Sequence, residues 1–227
     1  MEKDFETRLK IRKFFKEGRP IKYKAKETII RADDEPSGVY YLVEGFVKIY
    51  SLTQDGKELI YNIYRLGSYF PAAWLLAEER NTRFFEALTP VTVFRVSKKE
   101  VLEFLQKNPD ALMELIKRIS TGLVYLTHQT EVLVYGTALN KVSFVLLQLA
   151  LRFGKKYARN KVQIIFPLTH QLISGLAGLA RETVTLVIDQ LKKNGVIFYL
   201  KRSSFVVNIK ALENADLETL SSENVLV

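Results

Sequence analysis

A chain of 227 residues, 48% of them hydrophobic, is long enough to bury one or two sizeable cores. It contains no cysteine, which excludes structural disulfides, thiolate metal sites, cysteine-held iron–sulfur clusters and thiol-based redox sensing. The net charge of +9 is segregated: residues 138–210 carry twelve Lys or Arg against two acids, so the other 154 residues sum to −1.

The opening Met-Glu-Lys-Asp-Phe-Glu-Thr-Arg is not a basic-then-apolar leader, and no run of about eighteen uncharged apolar residues follows. The expectation is a cytoplasmic protein with no membrane partner. From Ile21 to about Val96 the chain shows short runs rich in β-branched and aromatic residues: residues 39–43, 46–50, 58–64 and 91–96. Glu44-Gly45 and Asp55-Gly56 stand at hairpin positions between runs, and residues 33–38 make a longer loop. Closely spaced strands of this kind predict a small antiparallel roll or barrel. Within it, residues 67–87 are apolar and aromatic, with Tyr69, Phe70, Pro71, Trp74, Leu75, Phe84 and Phe85. Two readings stand side by side: these side chains fill the roll, or they line a pocket for an apolar or aromatic effector. The pocket residues would be Tyr69, Phe70, Trp74, Thr82 and Arg83, with Tyr125 and His128 from the following helix.

After Asn108-Pro109-Asp110 the period changes. Leu112, Ile116, Ile119, Leu123, Leu126, Thr130, Leu133 and Thr137 alternate spacings of four and three, which predicts a long helix with an apolar seam. The seam packs either on the chain's own roll or on a second copy of the helix, and its regular register favours the second copy. The dimer residues expected are Leu112, Ile116, Ile119, Leu123, Leu126 and Leu133, with a hinge where Thr130 and Thr137 weaken the seam.

A helix from about Lys141 to Gly154 follows, then a polar stretch and a strand from Lys161. Pro167 and Thr169 end that strand and cap a short helix, which Gly178 breaks before a second. In the second helix Val184, Val187, Ile188 and Leu191 form one buried stripe, so Glu182, Thr185, Leu186 and Asp189 point away from it. Asn194-Gly195 stops this helix before two strands joined by Lys201-Arg202-Ser203-Ser204, a wing with two cations at its tip. Residues 211–227 are acidic or polar and read as a helical turn plus a loose tail. Two short helices and a wing in the basic part of the chain point to a DNA-reading winged helix-turn-helix.

Leu168-Thr169, Gln171-Leu172-Ile173, Gly178, Arg181-Glu182-Thr183-Val184 and the run from Leu191 to Gly195 and Ile197 stand in this order behind the roll and the long helix. With that order the chain resembles the Crp/Fnr superfamily of bacterial transcription regulators over nearly its whole length. The resemblance implies an α+β fold: a cyclic-nucleotide-binding-like β-roll at residues 1–107, a dimerisation helix and hinge at 108–137, and a winged helix-turn-helix at 138–227. It implies base contacts by Arg181, Glu182, Thr185 and Leu186, and phosphate contacts by Thr169, His170, Lys201 and Arg202. It also implies double-stranded DNA, a second copy of the chain and RNA polymerase as partners, with a small-molecule effector as a further one.

Two departures stand out. The family commonly has Arg where this chain has Leu186, which suits contact with a thymine methyl and predicts a half-site that differs at that base pair. In nucleotide-binding members a cassette supplies a Glu for the ribose and an Arg plus a hydroxyl for the cyclic phosphate. By spacing, Ala72, Asn81 and Thr82 stand there instead, so cyclic AMP is not expected as ligand, although a one-residue loop shift would bring in Arg80 or Arg83. No catalytic residue, metal site or cofactor is expected. An enzyme on the roll would need histidines and carboxylates at ligand spacing, and no histidine precedes His128. Apart from regulation, binding of polyanions without regard to sequence is the remaining alternative.

Overall fold

The computed structural model describes residues 2–77, 79–201 and 204–213. The chain divides into two compact units, Met1–Val124 and Tyr125–Val227.

The first unit opens with α1 (Glu2–Lys16), which has no counterpart among the expected elements. Its sequence is mostly charged, and among its described side chains only Thr7, Ile11 and Phe15, spaced four apart, are buried. The strands β1 (Arg19–Tyr23), β2 (Thr28–Ile30), β3 (Val39–Glu44), β4 (Val47–Leu52), β5 (Glu58–Tyr64) and β6 (Tyr69–Phe70) follow. After them come α2 (Ala72–Ala77), β7 (Phe84–Ala87), β8 (Val91–Val96), α3 (Lys98–Lys107) and α4 (Pro109–Tyr135), whose residues from Tyr125 on belong to the second unit. The strands make two antiparallel sheets of order β1-β8-β3-β6 and β2-β7-β4-β5, the roll that the strand spacing predicts.

Side-chain alternation explains why β3 is apolar up to its last residue, Glu44. Tyr40 and Leu42 join Val47, Phe70, Phe85 and Val93 in a core shared by the two sheets. Val39 and Tyr41 join a second core with Ile11 and Phe15 of α1, Val101 and Leu105 of α3, and Leu115 of α4. Polar ties hold α1 to α4 beside that core: Lys10 to Asp110 at 2.6 Å and Arg8 to Glu114 at 3.2 Å. Lys10 also holds the Asp110 carboxyl below its ordinary value.

Helix α4 begins at Pro109, a residue whose missing N–H costs nothing in the first turn. Of the expected seam, Ile116, Ile119, Leu123 and Leu126 are exposed on the single chain, and Leu112 is half-buried. The end of the seam differs. Leu133 is half-buried near Gly178, 3.9 Å from where a Cβ on that glycine would lie. Thr137 is not a seam residue: it caps the next helix in a capping box with Asn140.

The second unit contains α5 (Ala138–Phe153), β9 (Gly154–Ala158), β10 (Lys161–Ile164), α6 (His170–Ala177), α7 (Arg181–Lys193), β11 (Ile197–Lys201) and β12 (Ser204–Asn208). The strands form one antiparallel sheet of order β11-β12-β10-β9. β9 stands where only a polar stretch was expected: all five of its residues are exposed, so no apolar alternation betrays it, and pairing with β10 forms it. A helical turn covers residues 209–213, and the expected tail beyond it lies outside the described residues. Among the described residues no single helix is long and apolar enough to cross a membrane.

Candidate nucleic-acid interface

Helices α6 and α7 are built by their caps. Thr169 Oγ1 accepts the Leu172 amide at 3.1 Å, which satisfies one orphan donor of the first turn and leaves its own hydroxyl proton free. Gly178 ends α6 in the left-handed region at φ 61°, where its amide donates to the Ser174 carbonyl. The chain then turns through 107° into α7, within the range of helix-turn-helix pairs.

Val184, Val187, Ile188 and Leu191 are the buried residues of α7, and they lock its inner face against α5 and α6. Arg181, Glu182, Leu186 and Asp189 are exposed, and Leu186 is 72% exposed, high for a leucine with no partner in the chain. Glu182 in the first turn and Lys192 and Lys193 in the last suit the helix dipole. Thr185 differs from its outward neighbours in being half-buried. The reason is His170, whose Nδ1 lies 2.9 Å from Thr185 Oγ1 while Nε2 lies 3.1 Å from the Tyr199 hydroxyl of β11. Burial pushes the imidazole below its ordinary value; Asp189 opposes this and Arg181 adds to it. Burial also raises the Tyr199 hydroxyl, and Asp189 adds to that shift.

His170 therefore departs from the expectation of a phosphate contact, because both ring nitrogens are engaged inside the protein. Tyr199, which sequence reasoning missed, is its partner on the wing, with its ring 4.6 Å from Phe205. The wing is tied to the sheet by Gln163, which donates to Ser204 Oγ at 2.9 Å. The expected wing-tip cations cannot be added: Arg202 and the side chain of Lys201 lie outside the described residues. Lys155, Lys156 and Arg159, around β9, are exposed and add to the positive charge of this unit.

Of the residues expected to line an effector pocket, five lie in the first unit and two, Tyr125 and His128, in the second. Phe70 is a core residue, fully buried, with ring centroids of Phe85, Tyr64 and Tyr40 at 5.1, 5.3 and 5.7 Å. Tyr69 is buried against Phe15, and its hydroxyl has no hydrogen-bond partner among the described residues. Its hydroxyl is pushed up to about 12, mainly by burial, with Arg118 acting against the shift. Trp74 is half-buried with Lys98 Nζ 4.9 Å above its ring. Thr82 is exposed and accepts from Arg83, whose guanidinium lies 4.7 Å over the Tyr61 ring. Tyr125 and His128 pack on Phe144 of α5 at 6.0 and 5.1 Å, within the second unit. At the position where the resemblance puts an arginine, Asn81 is buried, and its amide donates to the Arg31 and Arg83 carbonyls at 2.7 and 2.9 Å. Asn81 works as a brace between neighbouring strands.

Residues 20–108 match the family described as cyclic nucleotide-binding domain, and residues 140–215 match the Crp-like helix-turn-helix domain. Among curated relatives, the cAMP-activated global transcriptional regulator CRP of Pasteurella multocida is 29% identical over 177 residues, covering 78% of this chain and 84% of the relative. The global nitrogen regulator of Synechocystis sp. is 28% identical over 188 residues, covering 82% and 83%. The crystal structure of a transcriptional regulator of the CRP/FNR family from Thermus thermophilus superposes with a TM-score of 0.71 at 23% identity, covering 88% of this chain and all of that one. That likeness shows the fold.

Proposed function

We propose that this chain, which belongs to the Crp/Fnr family of transcription regulators, binds a palindromic operator as a homodimer and does so without a small-molecule effector. It is a DNA-binding regulator and not an enzyme. The observation that carries the operator reading is α7: one face is locked in the core while Arg181, Glu182 and Leu186 stand exposed in the basic part of the chain. Arg181 can pair with guanine or a phosphate, and Glu182 can accept from cytosine N4. The free Thr169 hydroxyl proton can go to a phosphate, as can Lys201 and Arg202.

The homodimer reading is supported by Ile116, Ile119, Leu123 and Leu126, exposed apolar side chains at a/d spacing on one helix. A two-fold dimer carries two reading helices, which suits two inverted half-sites about one DNA turn apart. RNA polymerase is the onward partner of such a regulator. Independence from an effector is supported by the ring stack around Phe70, which packs the core between the two sheets of the roll. Asn81 further leaves no cation at the cassette position to meet a cyclic phosphate.

The test is selection from random duplexes by the purified full-length protein with no ligand added. The expected result is enrichment of an inverted repeat, unchanged by added cyclic nucleotide. Enrichment only in the presence of cyclic nucleotide would refute the effector-free reading, and absence of enrichment in both conditions would refute the operator reading.

A further inference from the structure

Thr185 precedes Leu186 on the outward part of α7, yet its hydroxyl is engaged on two sides within the protein. Oγ1 donates to the Arg181 carbonyl at 3.0 Å. A carbonyl only accepts, so the single hydroxyl proton is committed there. The contact with His170 at 2.9 Å then has one direction: Nδ1–H donates to Oγ1. A neutral imidazole carries one N–H, so Nε2 accepts, and it takes the Tyr199 hydroxyl proton at 3.1 Å. One directed chain thus runs from Tyr199 on β11 through His170 at the start of α6 to Thr185 and the Arg181 carbonyl on α7. Phe205 holds the imidazole from another side, at a steep angle and 6.5 Å between centroids.

We infer that His170 is a specificity-determining positioning residue: by donating to Thr185 Oγ1 it occupies an acceptor lone pair of a hydroxyl whose proton the Arg181 carbonyl already holds, and so leaves the Thr185 methyl as the group this residue offers to a base. The recognised chemistry is the C5-methyl group of thymine at the base pairs facing residues 185 and 186. A threonine with a free hydroxyl would donate to purine N7 or O6, whereas this one has no proton left to give. One lone pair of Oγ1 and the methyl are all that remain, and the next residue, Leu186, is 72% exposed. The inference rests on the reading that α7 enters the major groove of an operator.

Full-length wild type, Thr185→Ser, Leu186→Ala and His170→Ala are each put through duplex selection. The selected duplex is then measured again with deoxyuridine replacing each thymine in turn, which removes one methyl and nothing else. In the wild type, two thymines are each expected to show about fourfold weaker binding on replacement, the worth of one buried methyl. Thr185→Ser keeps the hydroxyl and its bonds, and is expected to lose the penalty at one of those thymines alone; Leu186→Ala loses it at the other. His170→Ala frees a lone pair of Oγ1 while the hydroxyl proton stays on the Arg181 carbonyl, and is expected to shift base preference at the Thr185 position alone toward a base that donates an exocyclic amine, adenine or cytosine. Preference retained by Thr185→Ser, or equal weakening at every position in His170→Ala, overturns the inference while leaving operator binding intact. A wild type that selects no duplex overturns both.

Discussion

Phe70→Ala tests the filled roll. The Phe70 side chain is fully buried and stacks with Phe85 at 5.1 Å, Tyr64 at 5.3 Å and Tyr40 at 5.7 Å. Truncation removes a whole ring from a close-packed site and leaves a cavity that these large neighbours cannot close. Substitutions of this kind cost about 3–5 kcal/mol, and loss of the ring pairs puts this one toward the upper end. At a denaturant slope of about 2 kcal/mol per molar urea, the midpoint falls by about 2 M. The chain has one tryptophan, Trp74, half-buried against the helix-covered core of the first unit. Its fluorescence therefore follows the unfolding of that unit without interference from the second. The refuting result is a loss below about 1 kcal/mol, which would mean that Phe70 stands beside open space and that the roll holds a pocket.

Leu123→Asp is expected to convert a dimer to a monomer, measured by light scattering, because the substitution introduces a charge in the middle of the exposed α4 seam. Leu186→Arg is expected to change the selected base at one position per half-site to guanine, with the rest of the operator unchanged. Gly178→Ala is expected to lower protection of the α6 and α7 amides from hydrogen exchange by about 1–2 kcal/mol, the cost of a Cβ in the left-handed region. No steric clash adds to this, since the nearest atom to a new Cβ, Leu133 Cδ2, is 3.9 Å away. The His170 imidazole, faced by Asp189 and Arg181 of α7 and Tyr199 of β11, is held below its ordinary value of 6.5. The unfolded chain binds its proton first, so this stabilisation is full above about pH 6.5 and is lost as pH falls further. Amide protection in α6 and α7 is therefore expected to fall below that pH in the wild type, with a shallower fall in His170→Ala.

Elements with a strong period were legible in the sequence, and contacts between distant residues were not. The stripe of Val184, Val187, Ile188 and Leu191 at helical spacing identified the inner face of α7, and the structure buries all four. Charged α1 carries the helical spacing only at Thr7, Ile11 and Phe15, and the wholly exposed β9 carries no period, because backbone pairing makes it. The heptad count ran past the end of α4, since spacing alone does not distinguish the helical Leu133 from the cap residue Thr137. The aromatic cassette reads equally well as a lined pocket or a filled core, and contacts such as the ring stack around Phe70 leave no trace in the spacing. His170 read as a lone histidine beside a cap. Its role depends on Thr185, fifteen residues on, and Tyr199, twenty-nine residues on, neither of which leaves a local motif.

The central claim is that the ligand-free protein discriminates DNA sequence through the exposed face of α7. The most direct measurement is the affinity of the full chain for its selected duplex relative to a shuffled duplex of equal length, at one fixed salt concentration and with no effector present. The account predicts a ratio of about a thousandfold or more. A ratio near one would leave only attraction of a basic surface to phosphates and would contradict it.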